Sequence, residues 1–305
     1  AGWSGLACAL ACVEGGARVT VLDAAPQAGG RARAVHVELG DHRYALDNGQ
    51  HLLIGAYQDT ERLMRKVGVD PARALHRMPL SLIYPDGFRF TAANLPAPLN
   101  LAMGLITACG LTFNDRLALI RLLRAWKRSE WNAPAQATAR DVLTHATPTL
   151  IERLFEPLCL AALNLRLHEA SAPMFLRVLR DSIGGSRQAS ELWAPRVDLS
   201  TLFPHAAIET LTTQGAQVRL HTLVTSLSKT QAGWKIQTRT DALECDAVVL
   251  ALPPERARPL LESVNDPALQ SAAQELAAIQ SAPIATVYLR YARGTRLPHP
   301  VMALR

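Results

Sequence analysis

The chain has 305 residues, of which 49% are hydrophobic and 19% charged, and its formal net charge is +6. This composition is typical of a globular protein with a sizeable core and excludes intrinsic disorder. The basic residues are scattered and are not interleaved with aromatic residues, which argues against nucleic-acid binding, whereas a basic balance also suits contact with an anionic membrane surface.

The cysteines indicate the compartment. They are Cys8, Cys12, Cys109, Cys159 and Cys245. Their number is odd and no Cys-x-x-Cys pair occurs, so we expect no metal site and interpret them as small buried hydrophobic residues. No secretory segment is recognisable at the start, and the pattern is typical of a reducing compartment, which predicts a cytoplasmic protein.

The start of the chain is typical of the second half of a βαβ unit. A helix of small residues ends at Gly15, and the β-branched run 18–23 predicts a buried parallel strand ending at Asp23. The first strand and first glycine of such a unit would precede Ala1. We therefore expect the chain to be a fragment of a longer protein.

Further along, the pattern changes near Leu75, where prolines begin to separate short strand-like segments. We predict strands at 80–84, 88–90, 217–220, 233–238 and 246–252, and helices within 114–131 and 139–180.

The segment from Leu95 to Phe113 contains no charged residue and is long enough to span a bilayer. Its prolines and glycines make it a poor continuous helix. We interpret it as a buried helix of a second domain, with an apolar wall or lid for a lipid substrate, in contact with a membrane surface, as the alternative.

A glycine pattern at the start of the helix indicates dinucleotide binding. Gly2 and Gly5 have the spacing of the second and third glycines of G-x-G-x-x-G, with Ser4 in the same turn. Such a turn lets a pyrophosphate approach the helix N–H groups. Asp23, followed by Ala24, stands where a carboxylate accepts hydrogen bonds from a ribose hydroxyl. The alternative is an ordinary helix start followed by an unrelated aspartate.

A second motif, Gly29-Gly30-Arg31, follows the aspartate. It resembles the second signature of the flavin amine oxidase and phytoene desaturase superfamily. The glycines let the backbone pass close to a cofactor, and Arg31 can neutralise phosphate charge. The resemblance implies that the cofactor is FAD.

Other segments extend this resemblance. The segment 46–51 resembles the stretch that lies beside the flavin ring in this superfamily, although it could also be a plain turn. The resemblance implies that Val224 reads the adenine through its backbone amide and that the strand ending at Ala251 and Pro253 lies on the dinucleotide side. The ring-side residues would be Asn48, Gly49 and Gln50, with His51 as the catalytic candidate.

The middle of the chain resembles one branch of the superfamily, the hydroxysqualene dehydroxylases. The matching segments are 47–53, 156–164, 175–182 and 195–200. The resemblance implies reductive removal of an allylic hydroxyl from hydroxysqualene, giving squalene for hopanoid synthesis, with reduced flavin delivering hydride to an allylic cation.

Departing hydroxide needs a general acid, for which His51, Glu156 and Asp181 are candidates. Glu156 and Asp181 could equally be charges on helix surfaces. The superfamily's C-terminal flavin segment does not occur before Arg305.

These observations predict an α/β fold in which a Rossmann-like FAD-binding domain with a parallel sheet is interleaved with an α+β substrate-binding domain. We place the FAD-binding domain at 1–75 and 201–253, and the substrate-binding domain at 76–200 and 254–305. The expected partner is a polyprenyl lipid, hydroxysqualene, with peripheral contact at the inner face of the cytoplasmic membrane. The oligomeric state stays open.

Three other functions remain as alternatives. A carotenoid-type desaturase would transfer hydride in the opposite direction on a similar polyene. An amine oxidase usually surrounds its amine with aromatic residues, which make up only 5% of this chain. A flavin-binding lipid carrier without activity is the non-enzymatic alternative.

Overall fold

The computed structural model describes residues 1–292 and 294–304. The helices are α1 (Trp3–Glu14), α2 (Gln58–Lys66), α3 (Pro71–Ala74), α4 (Leu99–Thr107), α5 (Phe113–Arg128), α6 (Pro148–Leu150), α7 (Glu156–Leu163), α8 (Ala172–Ile183), α9 (Leu199–Leu202), α10 (Pro204–Thr213), α11 (Pro254–Glu262) and α12 (Pro267–Ala277). The strands are β1 (Thr20–Leu22), β2 (Ala34–Leu39), β3 (His42–Asp47), β4 (Leu53–Ile54), β5 (Leu75–Met78), β6 (Ser81–Ile83), β7 (Arg89–Thr91), β8 (Leu192–Pro195), β9 (Gln217–Arg219), β10 (Val224–Lys229), β11 (Trp234–Thr238) and β12 (Ala242–Cys245).

The chain divides into two compact units, each built from separate stretches. The first comprises Ala1–His51, Asp59–Leu75 and Pro195–Pro283. The second comprises Leu52–Gln58, His76–Ala194 and Ile284–Arg305.

In the first unit, α1 packs against α10 and beside a pair of parallel strands. Strand β1 pairs in parallel with β9, in the register Val21 to Val218. The core of this region includes Leu6 and Leu10 of α1, which are completely buried against Phe203 and its neighbours. The predicted helix and the predicted parallel strand are therefore confirmed, although the strand is only partly buried.

The strand predicted at 246–252 is wrong. Strand β12 ends at Cys245, and the residues that follow form no strand. Val248 and Leu250 pack against the cluster around Leu260, whereas Val249 is 64% exposed. A strand needs a neighbour to take up its backbone hydrogen bonds, and none of the described strands pairs with this segment.

The boundaries of the units differ from those that we predicted. Residues 254–283, which we assigned to the substrate-binding domain, lie in the first unit. The reason is that α11 packs on β10: Leu260 and Val264 join Leu227 in one buried cluster. The first unit also begins its last stretch at Pro195, six residues before the predicted boundary at 201.

The second unit combines helices with short antiparallel strands. Its sheets are β4-β8-β5 and β6-β7, and its core gathers residues from α5, α7 and α8. Trp126 and Phe175 both contact the ring of Phe155 edge-on, at centroid distances of 5.7 and 6.4 Å. The predicted strands at 80–84 and 88–90 and the helix within 114–131 are confirmed.

The uncharged segment from Leu95 to Phe113 forms one short helix, α4, that is buried on only one face. Asn100 and Leu105 are buried, whereas Leu99 and Ile106 are 58% and 65% exposed. The expectation of a buried helix therefore holds for only half of its surface. Within 1–292 and 294–304, no helix is long and apolar enough to cross a membrane.

Candidate dinucleotide-binding site

Helix α1 begins without a side-chain cap. Gly2 is the N-cap residue, with φ −75° and ψ 171°, and no side chain caps the helix. The first intrahelical bond runs from the Leu6 N–H to the Gly2 oxygen over 2.9 Å. Ser4 is exposed in the first turn. Free N–H groups at a helix start favour an anion such as a pyrophosphate.

The Gly29-Gly30 segment lies directly against this helix start. Gly2 and Gly29 form a parallel bridge, and the Gly29 N–H donates to the Ala1 oxygen over 2.8 Å. Gly30 has φ +62°, and a Cβ built on it would lie 3.1 Å from the Gly2 Cα. Glycine at position 30 therefore lets its backbone come close to Gly2, where a side chain would press against the Gly2 backbone.

One side chain ties the arginine-containing segment to α1, and a second holds the segment from within. The Trp3 indole N–H donates to the Ala32 oxygen over 2.9 Å, and the Arg33 guanidinium donates to the Gly30 oxygen. Arg31 itself is exposed. Its guanidinium is thus available to a phosphate, while Arg33 is used for the loop.

Asp23 ends the parallel strand pair. Its N–H donates to the Arg219 oxygen over 3.0 Å, which continues the β1–β9 pairing. Its Oδ1 accepts the Ala25 N–H over 2.8 Å, and its Oδ2 lies 2.6 Å from the Ala1 nitrogen. Ala24, which lies between Asp23 and Ala25 in the chain, is exposed. The carboxylate is therefore held at the carboxyl end of the strand, beside the helix start.

Three further predicted residues, Val224, Ala251 and Pro253, also lie in the first unit. The Thr222 N–H donates to the Asp23 oxygen over 2.8 Å, and Val224 begins β10 shortly after. A Cβ on Gly5 would lie 3.2 Å from the Ala251 Cβ. Pro253 precedes α11 as its N-cap residue. The fold thus places Ala251 against α1, although the segment that carries it is not a strand. Val224 follows the Thr222 contact with Asp23 and packs against the cluster around Leu227.

The segment after β3 is attached to the arginine-containing loop. Asn48 donates from its side chain to the Arg31 oxygen and from its backbone to the Arg33 oxygen, both over 2.8 Å. Gly49 has φ +90°, and Gln50 is exposed. His51 is also exposed, and its Nδ1 lies 2.7 Å from the Gly49 oxygen.

Sequence reasoning missed three polar side chains that support this loop. The Ser200 hydroxyl, which is buried, accepts the Ala34 N–H over 2.9 Å and the Gln27 amide over 3.2 Å. Asp47 accepts the Leu199 N–H over 2.8 Å. The segment 195–200 stands out in the sequence only for its resemblance to the dehydroxylase family, and nothing local in it indicates these distant partners.

Burial changes the acidity of Asp47. Burial raises the pKa of this carboxyl, the hydrogen bond from the Leu199 N–H lowers it, and nearby Asp198 raises it further. The pKa is raised overall because removal from water disfavours the charged form.

The other two acid candidates have structural partners in the second unit. The Glu156 carboxylate accepts the Leu167 N–H over 3.3 Å. Asp181 is exposed and pairs with Arg180 over 3.0 Å and with Arg177 over 3.7 Å. Asp181 therefore behaves as the surface helix charge that we gave as the alternative, whereas Glu156 is half-buried and its carboxylate is held by this hydrogen bond.

The second unit also contains a cavity of about 590 Å³. Its lining includes Arg77, Asn100, Arg187, Ser190 and Glu191. The Arg187 guanidinium lies 3.2 Å from the Glu191 carboxylate. Apolar residues line it as well, among them Met78, Pro79 and Ala92, so the cavity is mixed in character and is not the purely apolar tunnel that a polyprenyl chain would require.

The cysteines are more accessible than we expected. Only Cys159 is buried, Cys109 is exposed, and the other three are half-buried. Cys8 and Cys12 lie one turn apart on α1, with their Sγ atoms separated by 4.0 Å. Across the described part of the chain, no group of three His, Cys, Asp or Glu residues could hold a metal ion.

Comparison with known proteins identifies the family. Residues 3–301 match the family model of the flavin containing amine oxidoreductases, and the chain belongs to that family. Family membership supports a flavin cofactor, and the helices and strands described above are those of a flavin amine oxidase-like fold.

Curated relatives are named hydroxysqualene dehydroxylase. That of Sinorhizobium fredii is 28% identical over 282 residues, and that of Rhodopseudomonas palustris is 30% identical over 292 residues. Each match covers 88% of this chain and 63% of the relative. The chain therefore spans less than two thirds of the length of these relatives.

Solved structures share the fold. An oxidoreductase from Methanosarcina mazei is similar with a TM-score of 0.67 at 15% identity, covering 92% of this chain and 64% of that one. A putrescine oxidase is similar with a TM-score of 0.62 at 17% identity, covering 90% and 61%. At such identities the likeness concerns the fold alone.

Proposed function

We propose that this chain carries the FAD-binding part of an enzyme that reductively removes the hydroxyl group of hydroxysqualene to give squalene, for hopanoid or related isoprenoid synthesis. The cofactor proposal rests on the packing of Gly2 against Gly30 next to Asp23. The substrate proposal rests on the relatives named hydroxysqualene dehydroxylase, which match along 88% of the chain.

The residues present fit a flavin dinucleotide. The start of α1, with Gly2, Ser4 and Gly5, would hold the pyrophosphate, because no side chain caps this helix and glycine leaves no side chain in the way. Asp23 would accept the ribose hydroxyls, and the Val224 amide would face the adenine. Arg31 is exposed and would offset phosphate charge.

The bound flavin would supply hydride-transfer chemistry, and the protein would supply orientation and proton delivery. Asn48, Gly49 and Gln50 would lie beside the ring, with Asn48 holding this segment to the Arg31 backbone. His51 would donate a proton to the oxygen of the departing hydroxyl, so that it leaves as water. The Gly49 oxygen, 2.7 Å from the His51 Nδ1, would hold the ring so that Nε2 faces the substrate.

The two compact units fit a division of labour. Every proposed cofactor residue lies in the first unit. The second unit, with its helices and small antiparallel sheets, would take the polyprenyl chain. In this assignment the two domains remain interleaved as predicted, but residues 254–283 belong to the cofactor-binding domain.

The direct test is a single-turnover reaction. The complete protein is loaded with FAD, reduced by light without oxygen, and mixed with hydroxysqualene, and the lipids are then analysed. We expect squalene to form in proportion to the flavin oxidised. His51→Gln is expected to slow this step while leaving the flavin content unchanged.

Other outcomes identify the alternatives. Unchanged alcohol in the presence of competent reduced flavin would reject the dehydroxylase proposal. Desaturation of a polyene by the oxidised enzyme would indicate the carotenoid-type reaction. Flavin that stays bound but reacts with neither substrate would indicate the non-enzymatic carrier.

A further inference from the structure

Helix α4 presents apolar side chains to solvent along one face. Leu99, Met103 and Ile106 are 58%, 41% and 65% exposed. They recur every three or four residues and so share one side of the helix. The opposite side, which includes Asn100 and Leu105, is buried.

Helix α5 continues this character and adds positive charge. Phe113 is 80% exposed at its first position, and Ile120, two turns later, is 38% exposed. The spacing of seven residues puts both on one face. The exposed basic residues of the following turns share that face: Arg121, Arg124, Lys127 and Arg128.

A half-buried arginine, Arg116, fixes α4 to α5. The Arg116 guanidinium donates to the Leu105 oxygen over 3.0 Å and to the Ala108 oxygen over 2.9 Å. It also donates to the Leu111 oxygen over 2.6 Å. These bonds satisfy carbonyls at the end of α4. They therefore hold the two helices, with their exposed residues, in a fixed arrangement.

The charge of this segment is strongly one-sided. Residues 98–129 contain a single acidic residue, Asp115, which is 3% exposed. Its side chain forms a capping box with Thr112 at the start of α5. The exposed charges of α5 are therefore all positive. An apolar helix face followed by a basic one is the pattern of segments that lie in the headgroup region of an anionic bilayer.

We propose that the exposed side of α4 and α5, here called the α4–α5 face, binds the surface of a membrane that contains anionic lipids. Leu99, Met103, Ile106 and Phe113 would enter the boundary between headgroups and acyl chains. The basic residues of α5 would contact lipid phosphates. With nine residues, α4 is too short to span the bilayer, so the contact is peripheral.

The first test uses vesicles and the complete protein. Wild type is expected to sediment with vesicles of phosphatidylglycerol and phosphatidylcholine, and less with phosphatidylcholine alone or at high salt. The double variant Arg124→Glu and Lys127→Glu should bind at least about 10-fold more weakly. Ile106→Ser with Phe113→Ser should weaken binding by roughly 10-fold as well.

Matched controls lie in the first unit. Leu39 is 56% exposed, and Arg239 is also exposed. Leu39→Ser and Arg239→Glu remove the same kinds of group elsewhere and should leave vesicle binding unchanged. If these controls weaken binding as much as the α4–α5 variants do, the location is wrong.

The second test needs no substitution at all. Cys109 is exposed in the connection between α4 and α5, whereas Cys245 is half-buried in the first unit. Alkylation of Cys109 in the wild-type protein should slow when anionic vesicles are added, and alkylation of Cys245 should not. Mass spectrometry of the two peptides gives both rates from one sample.

Three results would overturn the proposal. Failure of the wild-type protein to bind anionic vesicles would overturn it directly. A Cys109 thiol that is already unreactive without vesicles would show that protein covers this face. A change from dimer to monomer in the Phe113→Ser variant would assign the face to a second copy of the chain. None of these outcomes depends on squalene formation, so this proposal and the proposed function can fail separately.

Discussion

Gly30 approaches Gly2 so closely that a Cβ on Gly30 would lie 3.1 Å from the Gly2 Cα. The two residues belong to different glycine motifs, one at the start of α1 and the other after β1. Their contact turns two separate sequence patterns into one surface of backbone, beside Asp23. The cofactor proposal depends on this surface.

Replacing Gly30 with alanine tests this contact. Gly30→Ala places a side chain against Gly2 and an L residue at φ +62°. We expect a loss of about 1–2 kcal/mol in the free energy of unfolding from the backbone, and also weaker flavin retention from the displaced loop. The measurements are flavin absorbance per protein and urea unfolding.

The control for this variant is Gly40→Ala. Gly40 has a nearly identical φ of +59°, but a Cβ there would meet no atom within 4 Å. Both variants should lose the stability that the positive φ costs, Gly30→Ala somewhat more because of its contact with Gly2, and only Gly30→Ala should lose flavin. Equal flavin content in both variants would mean that the close approach is unimportant for the cofactor.

Removing the Asp23 carboxylate should weaken cofactor binding. Asp23→Ala eliminates the proposed ribose acceptor together with the 2.8 Å hydrogen bond from the Ala25 N–H. Asp70→Ala is the matched control, since Asp70 accepts the Ala72 N–H over 2.9 Å in the same local arrangement. After dialysis against FAD-free buffer, Asp23→Ala should have lost its bound FAD and Asp70→Ala should have retained it. Retention of FAD by Asp23→Ala would refute the ribose assignment.

Asp115 should stabilise the second unit in a pH-dependent way. Its carboxylate accepts hydrogen bonds from the Thr112 hydroxyl over 2.7 Å and from the Thr147 hydroxyl over 2.5 Å. Burial alone would raise the pKa of Asp115, but these hydrogen bonds lower it below the ordinary value of 3.8. The stabilisation is therefore present above that ordinary pKa and is lost as the pH falls through the lowered one.

The variant that tests this is Asp115→Asn. We expect it to cost about 1–3 kcal/mol near neutral pH, and the difference from wild type should shrink below about pH 4. Asp181→Asn, at an exposed ion pair, should change stability by less than about 0.5 kcal/mol. A constant difference between Asp115→Asn and wild type at every pH would contradict the hydrogen-bonding explanation.

Cys159 should be the least reactive thiol. Burial, and then the nearby charge of Glu156, raises its pKa to about 11, so almost no thiolate is present near neutral pH. Cys109 is exposed. Under native conditions a thiol reagent should modify Cys109 rapidly and Cys159 only after unfolding. Rapid native modification of Cys159 would show that the core of the second unit opens readily.

Local sequence patterns were sufficient for the start of the first unit. The helix of small residues, the strand ending at Asp23 and the glycine spacing are each set by neighbours in the chain, and the structure forms them in place. Periodicity likewise predicted α5, because a helix with one buried face has its own repeat.

Tertiary structure decided the rest, because burial depends on which partner an apolar segment meets. Residues 246–252 have the composition of a strand, yet among the described strands none pairs with them. The uncharged sequence of α4 likewise does not reveal that Ile106 remains exposed. The role of Ser200 could not be predicted either, because its hydrogen-bond partners lie far away in the chain. The amino-acid sequence by itself determined a flavin-type dinucleotide motif, and only the three-dimensional contacts decided which segments support it, because those contacts join residues that no local pattern connects.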